Sequence, residues 1–282
     1  MAKVRKKKAL LVYLSVLLTA LILCVAVVYF LQPAMFFYPY HDADAYESLQ
    51  GIADFQEITI PHKDGTLHGW LHRDPQTDSA PLVILYGGNG QNSSAYFRMF
   101  ETAGIFRRFQ GYDVLFVDYP GYGLSSGKPT EKTLFSAALA VYDFSRTLED
   151  TSEKVVILGY SIGTGVATYV ASQRKIDGLI LLAPYDRGLS LYNDVCNIFH
   201  GPLEGLARFK FDSVTYARQI TVPTLLIASR DDEVIPYTHA IELGQHFPSL
   251  KALTILDGIH HDAFFYSSQV LEEIQGYLSS IP

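Results

Sequence analysis

From residue 55 onward, short runs rich in Val, Ile and Leu alternate with stretches of helical period. Runs this apolar belong to strands covered on both faces. Their alternation with helices points to a mostly parallel sheet with crossover helices. The pattern predicts strands at 57–60, 67–71, 82–86, 113–117, 155–159, 179–183, 224–228 and 253–256. The first two flank Pro61-His62-Lys63-Asp64-Gly65 and read as an antiparallel hairpin. Helices are expected at 94–109, 130–149, 162–174, 238–247 and 267–279. Between 185 and 219 the periodicity breaks up, with Tyr185, Leu189, Leu191, Tyr192, Phe209 and Phe211 set among polar residues and glycines. That stretch is too long for a simple crossover and reads as a small lid inserted in a domain spanning 56–282. No internal repeat or low-complexity tract interrupts the domain.

Ahead of it, Ala9 to Leu31 runs 23 residues without a charge. As a helix rising about 1.5 Å per residue it would reach roughly 35 Å, enough to cross a hydrocarbon core of about 30 Å. A cleaved signal peptide is the competing reading, but its apolar region is normally about 7–15 residues long and ends at small residues. Here the run is longer and is followed by Gln32-Pro33-Ala34-Met35. The expectation is an uncleaved anchor over 9–31, a basic tail over 1–8 and a juxtamembrane linker over 32–55. Lys3, Arg5, Lys6, Lys7 and Lys8 precede the span. By the positive-inside rule they keep the amino terminus cytoplasmic and send the domain to the periplasm, the exterior or a secretory lumen.

The formal charge of −7 conceals an asymmetry. Of 22 basic residues, five precede the span, leaving 17 against 29 acidic ones in the rest of the chain, a net of −12. Such a domain repels phosphate backbones, which argues against nucleic-acid binding. The two cysteines, Cys24 and Cys196, are too few for a disulfide scaffold or a cysteine-rich metal site.

Chemistry concentrates at Gly159-Tyr160-Ser161-Ile162-Gly163, which follows the run Val155–Leu158 and opens a stretch rich in small residues. A G-x-S-x-G pentapeptide alone is weak evidence. Between a strand and a helix it lifts the serine oxygen above the sheet and sets a helix amino terminus beneath it, where negative charge can develop. A bare serine hydroxyl is a poor nucleophile, so a base must take its proton and a carboxylate must orient that base. Two later strand ends offer both. Asp231-Asp232-Glu233-Val234-Ile235-Pro236 follows 224–228, and Asp257-Gly258-Ile259-His260-His261-Asp262 follows 253–256. Asp186, beyond 179–183, is an alternative acid. The clustered His and Asp residues could imitate a metal site, but the serine arrangement accounts for them without one. Gly121-x-Gly123-x-x-x-Gly127 misses the dinucleotide-turn spacing and reads as a structural loop.

Over about residues 30–280 the chain resembles the α/β-hydrolase superfamily, most closely its small single-pass abhydrolase-domain members. The resemblance rests on Gly159–Gly163, Asp118–Gly127, Asp232–Pro236 and Asp257–Phe264. It implies an eight-stranded, mostly parallel sheet with helices on both faces, a small lid, and one transmembrane helix ahead. It selects Asp232 as the acid, because the family acid precedes a short Val/Ile-Pro run, and His260 as the base, two residues after Gly258. It also makes Asn89, in Gly87-Gly88-Asn89-Gly90, an oxyanion N–H donor beside Ile162, the residue after the nucleophile. Gly87 stands where the family carries a histidine, and Pro120 where an arginine is common. The implied activity is hydrolysis of small-molecule or lipid-like esters, acyl thioesters among them, through an acyl-enzyme and without metal or organic cofactor. A serine peptidase and a non-catalytic, membrane-tethered binding protein with the same fold are the alternatives.

Overall fold

A computed structural model describes residues 2–281, leaving aside the side chains of Ala2, Lys3, Val4 and Met35. Met1 and Pro282, at the outer limits of the expected tail and domain, lie outside the described residues, as does the side chain of Lys3 in the expected basic cluster. The strands are β1 Phe55–His62, β2 Gly65–His72, β3 Ala80–Tyr86, β4 Asp113–Val117, β5 Thr151–Tyr160, β6 Gly178–Leu182, β7 Thr224–Ser229 and β8 Leu250–Leu256. They form one sheet in the order β1-β2-β4-β3-β5-β6-β7-β8. β2 pairs antiparallel with β1 and with β4, and all other neighbours run parallel. Parallel pairs therefore leave the ends of β3, β5, β6, β7 and β8 on one rim, where crossover loops can meet.

The helices are α1 Ala2–Phe36, α2 Ala43–Leu49, α3 Ser93–Thr102, α4 Glu131–Ser145, α5 Ile162–Gln173, α6 Gly188–Val195, α7 Ser213–Ala217, α8 Thr238–Gly244 and α9 Ser268–Ser279. Strand alternation divides the core in two. Leu82, Ile84, Leu115, Ile157 and Leu181 point to the side of α4, α5 and α7. Val83, Leu85, Phe116, Leu158 and Ile180 face α3 and α9. This is the period-two burial expected of central strands with both faces covered. Local chemistry fixes the helix starts: Asn92 caps α3 by accepting from the Ala95 N–H, Thr130 and Thr133 form a reciprocal capping box on α4, and Ser267 caps α9.

Three expectations need adjustment. The helix expected over 94–109 divides at Gly104, whose φ of +67° favours glycine, into α3 and a 3-10 turn at 105–109. The stretch 32–55 is not a linker: α1 runs through Pro33 to Phe36, α2 follows, and Gln32, Phe37, Ala45 and Leu49 are buried. The lid stretch contains α6, a 3-10 turn at 201–206 and α7, and many of its aromatic rings pack inward. Within α1, Arg5–Ala34 is long and apolar enough to cross a membrane, and its 18-residue apolar core is not buried against the domain. A signal sequence meets the same description.

Candidate active site

The turn between β5 and α5 carries Ser161 at φ +54° and ψ −123°, a conformation that L-residues rarely adopt. Two neighbours sustain it. The Ser161 N–H donates to the Leu182 carbonyl at the end of β6 (3.0 Å), and the Ser161 carbonyl accepts from the Thr164 N–H (2.9 Å). Close packing demands the glycine two residues on, because a Cβ on Gly163 would run into the backbone carbonyls of Tyr86 and Gly87. The start of α5 is thereby pressed against the end of β3.

His261 Nε2 lies 2.9 Å from Ser161 Oγ, and His261 Nδ1 lies 2.9 Å from both carboxylate oxygens of Asp232. An ionised carboxylate only accepts, so Nδ1 carries the proton and Nε2 is left to accept from the serine hydroxyl. Asp232 is held in turn by the N–H groups of Val234 (2.9 Å) and Ile235 (2.8 Å). Asp231 accepts from the Gly258 N–H (2.6 Å) and so ties the loop after β7 to the loop after β8. The His261 ring stacks on Tyr160, 5.5 Å between centroids. Burial, followed by the nearby carboxylates of Asp232, Asp262 and Glu233, pushes the Tyr160 phenol up. It therefore stays protonated and donates to the His261 carbonyl.

The sequence reading of His260 is corrected here. Its side chain is 70% exposed against 15% for His261, and its Nδ1 meets Glu233, 3.2 Å away, rather than the serine. After β8 the chain turns at Gly258 and inserts Ile259 into the core, so the next residue points out and His261 points back in. The signal was present as Ile259-His260-His261, an apolar residue with one inward partner two positions on. Asp186 is not near this pair; it bonds His239 Nδ1 (2.6 Å) and Ser190 Oγ (2.9 Å).

Ile162 opens α5, and among the described residues its N–H has no protein acceptor; the same holds for the Asn89 N–H. These are the orphan donors of a helix start and of the loop after β3, the kind of group that can hold an oxyanion. The Asn89 side chain, by contrast, is engaged elsewhere: Nδ2 donates to the Phe36 carbonyl, and Oδ1 accepts from the Tyr38 N–H and the Tyr122 hydroxyl. Gly87 also has a local reason, since the Phe116 ring fills the space a Cβ would need.

Residues 80–200 match a family model described as the alpha/beta hydrolase fold. The chain is 29% identical over 168 residues to alpha/beta hydrolase domain-containing protein aho-3 of Caenorhabditis elegans, covering 59% of this chain and 48% of the relative. It is 30% identical over 163 residues to alpha/beta hydrolase domain-containing protein 17C of Xenopus tropicalis, covering 57% and 51%. The matched chain thus spans about half the length of these relatives. Among solved structures, the esterase Pf2001 of Pyrococcus furiosus superposes with a TM-score of 0.67 at 20% identity, covering 86% of this chain and 98% of that one. By sequence match over residues 80–200 and by the order of its strands, the chain has the α/β-hydrolase fold.

Proposed function

We propose that the protein is a membrane-anchored serine hydrolase of carboxylic ester-type substrates, acting through Ser161, His261 and Asp232. The observation that carries this reading is the relay from Ser161 Oγ to His261 Nε2 and from Nδ1 to Asp232, each step 2.9 Å long. His261 takes the hydroxyl proton as Ser161 Oγ bonds to the acyl carbon, and the carbonyl electrons move onto oxygen. The N–H groups of Ile162 and Asn89 receive that oxyanion. Asp232 keeps His261 in the productive tautomer and stabilises the imidazolium. Collapse of the intermediate expels the alcohol or thiol, which takes its proton from His261 Nε2. Water, deprotonated by the same imidazole, then attacks the acyl-enzyme and releases the acid and Ser161. Both donors are backbone groups fixed before substrate arrives, so little reorganisation opposes the step.

Lipid-like acyl groups, thioesters included, suit an anchor that holds the site close to a bilayer. The five cations ahead of the span favour a cytoplasmic amino terminus and an extracytoplasmic domain. A fluorophosphonate probe tests the core of the reading. Wild-type protein is expected to label and to hydrolyse p-nitrophenyl esters, and Ser161→Ala to do neither. Equal labelling and turnover of the two would reject it, leaving a tethered fold without chemistry. A flat profile across acyl-chain lengths would remove the lipid preference.

A further inference from the structure

We infer that the end of the apolar amino-terminal helix is a wall of the hydrolytic site, with Asn89 as the positioning residue that clamps the oxyanion loop to it; this rests on the serine-hydrolase reading above. Three hydrogen bonds converge on one side-chain amide. Asn89 Nδ2 donates to the Phe36 carbonyl (2.7 Å), while Oδ1 accepts from the Tyr38 N–H (2.9 Å) and the Tyr122 hydroxyl (2.7 Å). Burial pushes the Tyr122 phenol up, so it is a neutral donor across the working pH range. Two of these bonds grip the segment leaving α1 and the third ties the amide to the loop after β4, while the Asn89 backbone N–H is left for the reaction.

The segment being gripped is itself immobilised. Gln32 is buried, and its side chain joins the Leu206 carbonyl (2.8 Å), the Arg208 N–H (2.9 Å) and the Tyr192 hydroxyl (3.0 Å) of the lid. Phe36 stacks parallel to Phe211, 5.9 Å between centroids, and Phe37 meets Phe209 edge-on at 4.8 Å. The Gly123 N–H reaches back to the Tyr40 carbonyl (2.9 Å). The oxyanion loop has two further ties, from the Tyr119 hydroxyl to the Gly87 carbonyl (3.0 Å) and from the Gly88 N–H to Gln91 (2.6 Å). Neither holds the Asn89 peptide itself. That task falls to the amide clamp. The stretch that a sequence reading takes for a passive tether joins lid and oxyanion loop.

The test uses full-length protein in detergent micelles with p-nitrophenyl butyrate, measuring kcat and KM separately and melting temperature alongside. A preformed oxyanion donor acts mainly in the transition state, so Asn89→Ala, which keeps the backbone N–H but frees the loop, is expected to lower kcat about 10- to 100-fold with KM within about threefold. Tyr122→Phe removes one bond of the clamp from outside the loop and is expected to lower kcat about three- to tenfold. Because both act on one clamp, the double variant is expected to lose no more than Asn89→Ala alone, a coupling that general destabilisation would not produce. Asn89→Asp keeps both acceptor bonds and is expected to recover part of the loss. If the wild type shows Ser161-dependent turnover while Asn89→Ala keeps kcat within twofold, or if the two losses multiply, the clamp is rejected and the hydrolase reading stands. If Ser161→Ala turns over as fast as wild type, the hydrolase reading fails and the clamp's catalytic role fails with it.

Discussion

His261 and His239 each sit between a carboxylate and a second partner, and of these two only His261 keeps a ring nitrogen free to accept a proton. His261 has Asp232 on Nδ1 and the Ser161 hydroxyl on Nε2. His239, at the start of α8, has Asp186 on Nδ1 (2.6 Å) and Asp194 on Nε2 (2.7 Å). A ring facing two carboxylates satisfies both only by donating from both nitrogens, which favours the imidazolium and leaves no lone pair to offer. Ser190 Oγ donates to Asp186 in that cluster, whereas Ser161 Oγ meets an imidazole nitrogen. Serine, histidine and aspartate are present in both places. The partner of the second nitrogen decides which cluster can do chemistry and which ties α6, in the lid, to the body of the domain.

The largest effects should separate the two adjacent histidines. His261→Ala removes the base and is expected to cut kcat for ester hydrolysis by about a million-fold, down to what the oxyanion donors and binding alone provide. His260→Ala loses only an exposed contact with Glu233 and should stay within about threefold of wild type. Steady-state hydrolysis of a p-nitrophenyl ester ranks them, and the reverse order would overturn the assignment of the base. Asp232→Asn leaves the geometry but permits the wrong tautomer, so kcat should fall by roughly 10,000-fold with little change in KM. An equal loss in Asp186→Asn would mean that the two clusters are not functionally distinct.

Much of this arrangement is legible in the sequence because it depends on short-range pattern. The apolar runs around Leu82–Tyr86 and Val155–Leu158 declare buried strands, and Gly159–Gly163 between strand and helix declares the turn bearing Ser161. Asp232 is picked out only through the family resemblance, on the Val/Ile-Pro run after it; in the fold its carboxylate accepts from the Val234 and Ile235 N–H groups of that turn. His261 is misread as His260 because counting from Gly258 ignores which way Ile259 points. What escapes the sequence is long-range: the Asn89 amide reaches 53 residues to Phe36, and His239 reaches 53 residues to Asp186. No periodicity within one segment encodes such pairings. Residues 32–55 look like a linker because they are short of regular apolar pattern, yet Gln32 and Phe37 are buried by partners far along the chain.

The second cluster yields an effect on stability rather than rate. His239→Leu leaves the buried Asp186 carboxylate without its imidazolium, and removing one partner of a buried pair costs about 3–5 kcal/mol. Because Asp194 is partly exposed and Arg187 lies 3.8 Å from Asp186, the lower end of that range is expected, with fluorophosphonate labelling of the folded variant retained. Urea unfolding measures the loss. A variant as stable as wild type would mean that the ion pair does not hold the lid.

The smallest effect sharpens the comparison through its sign. Burial opposes charge on His239, but the hydrogen bonds it donates to Asp186 and Asp194 outweigh it and raise the pKa above 6.5. Its contribution is therefore fully present below pH 6.5 and is lost as pH rises through the raised folded value. Burial likewise works against the Asp186 carboxylate, yet His239 and Ser190 hold it below 3.8, so its contribution is lost only as pH falls through that lower value. The latch is thus intact in mildly acidic solution and weakens on the alkaline side. His72 acts in the opposite sense. Burial pulls it down to about 4, so its neutral form favours folding fully above pH 6.5 and progressively less as pH falls toward 4. Wild-type stability alone mixes these with His68, where burial opposes charge but Asp118 and Glu57 outweigh it and raise the pKa. Subtracting the His239→Leu curve cancels both His72 and His68. That difference should decline as pH rises above 6.5, by at most about 1.4 kcal/mol per pH unit for one proton. A difference that grows with pH over that range would show that His239 is held neutral, and the contrast between the two histidines would be lost.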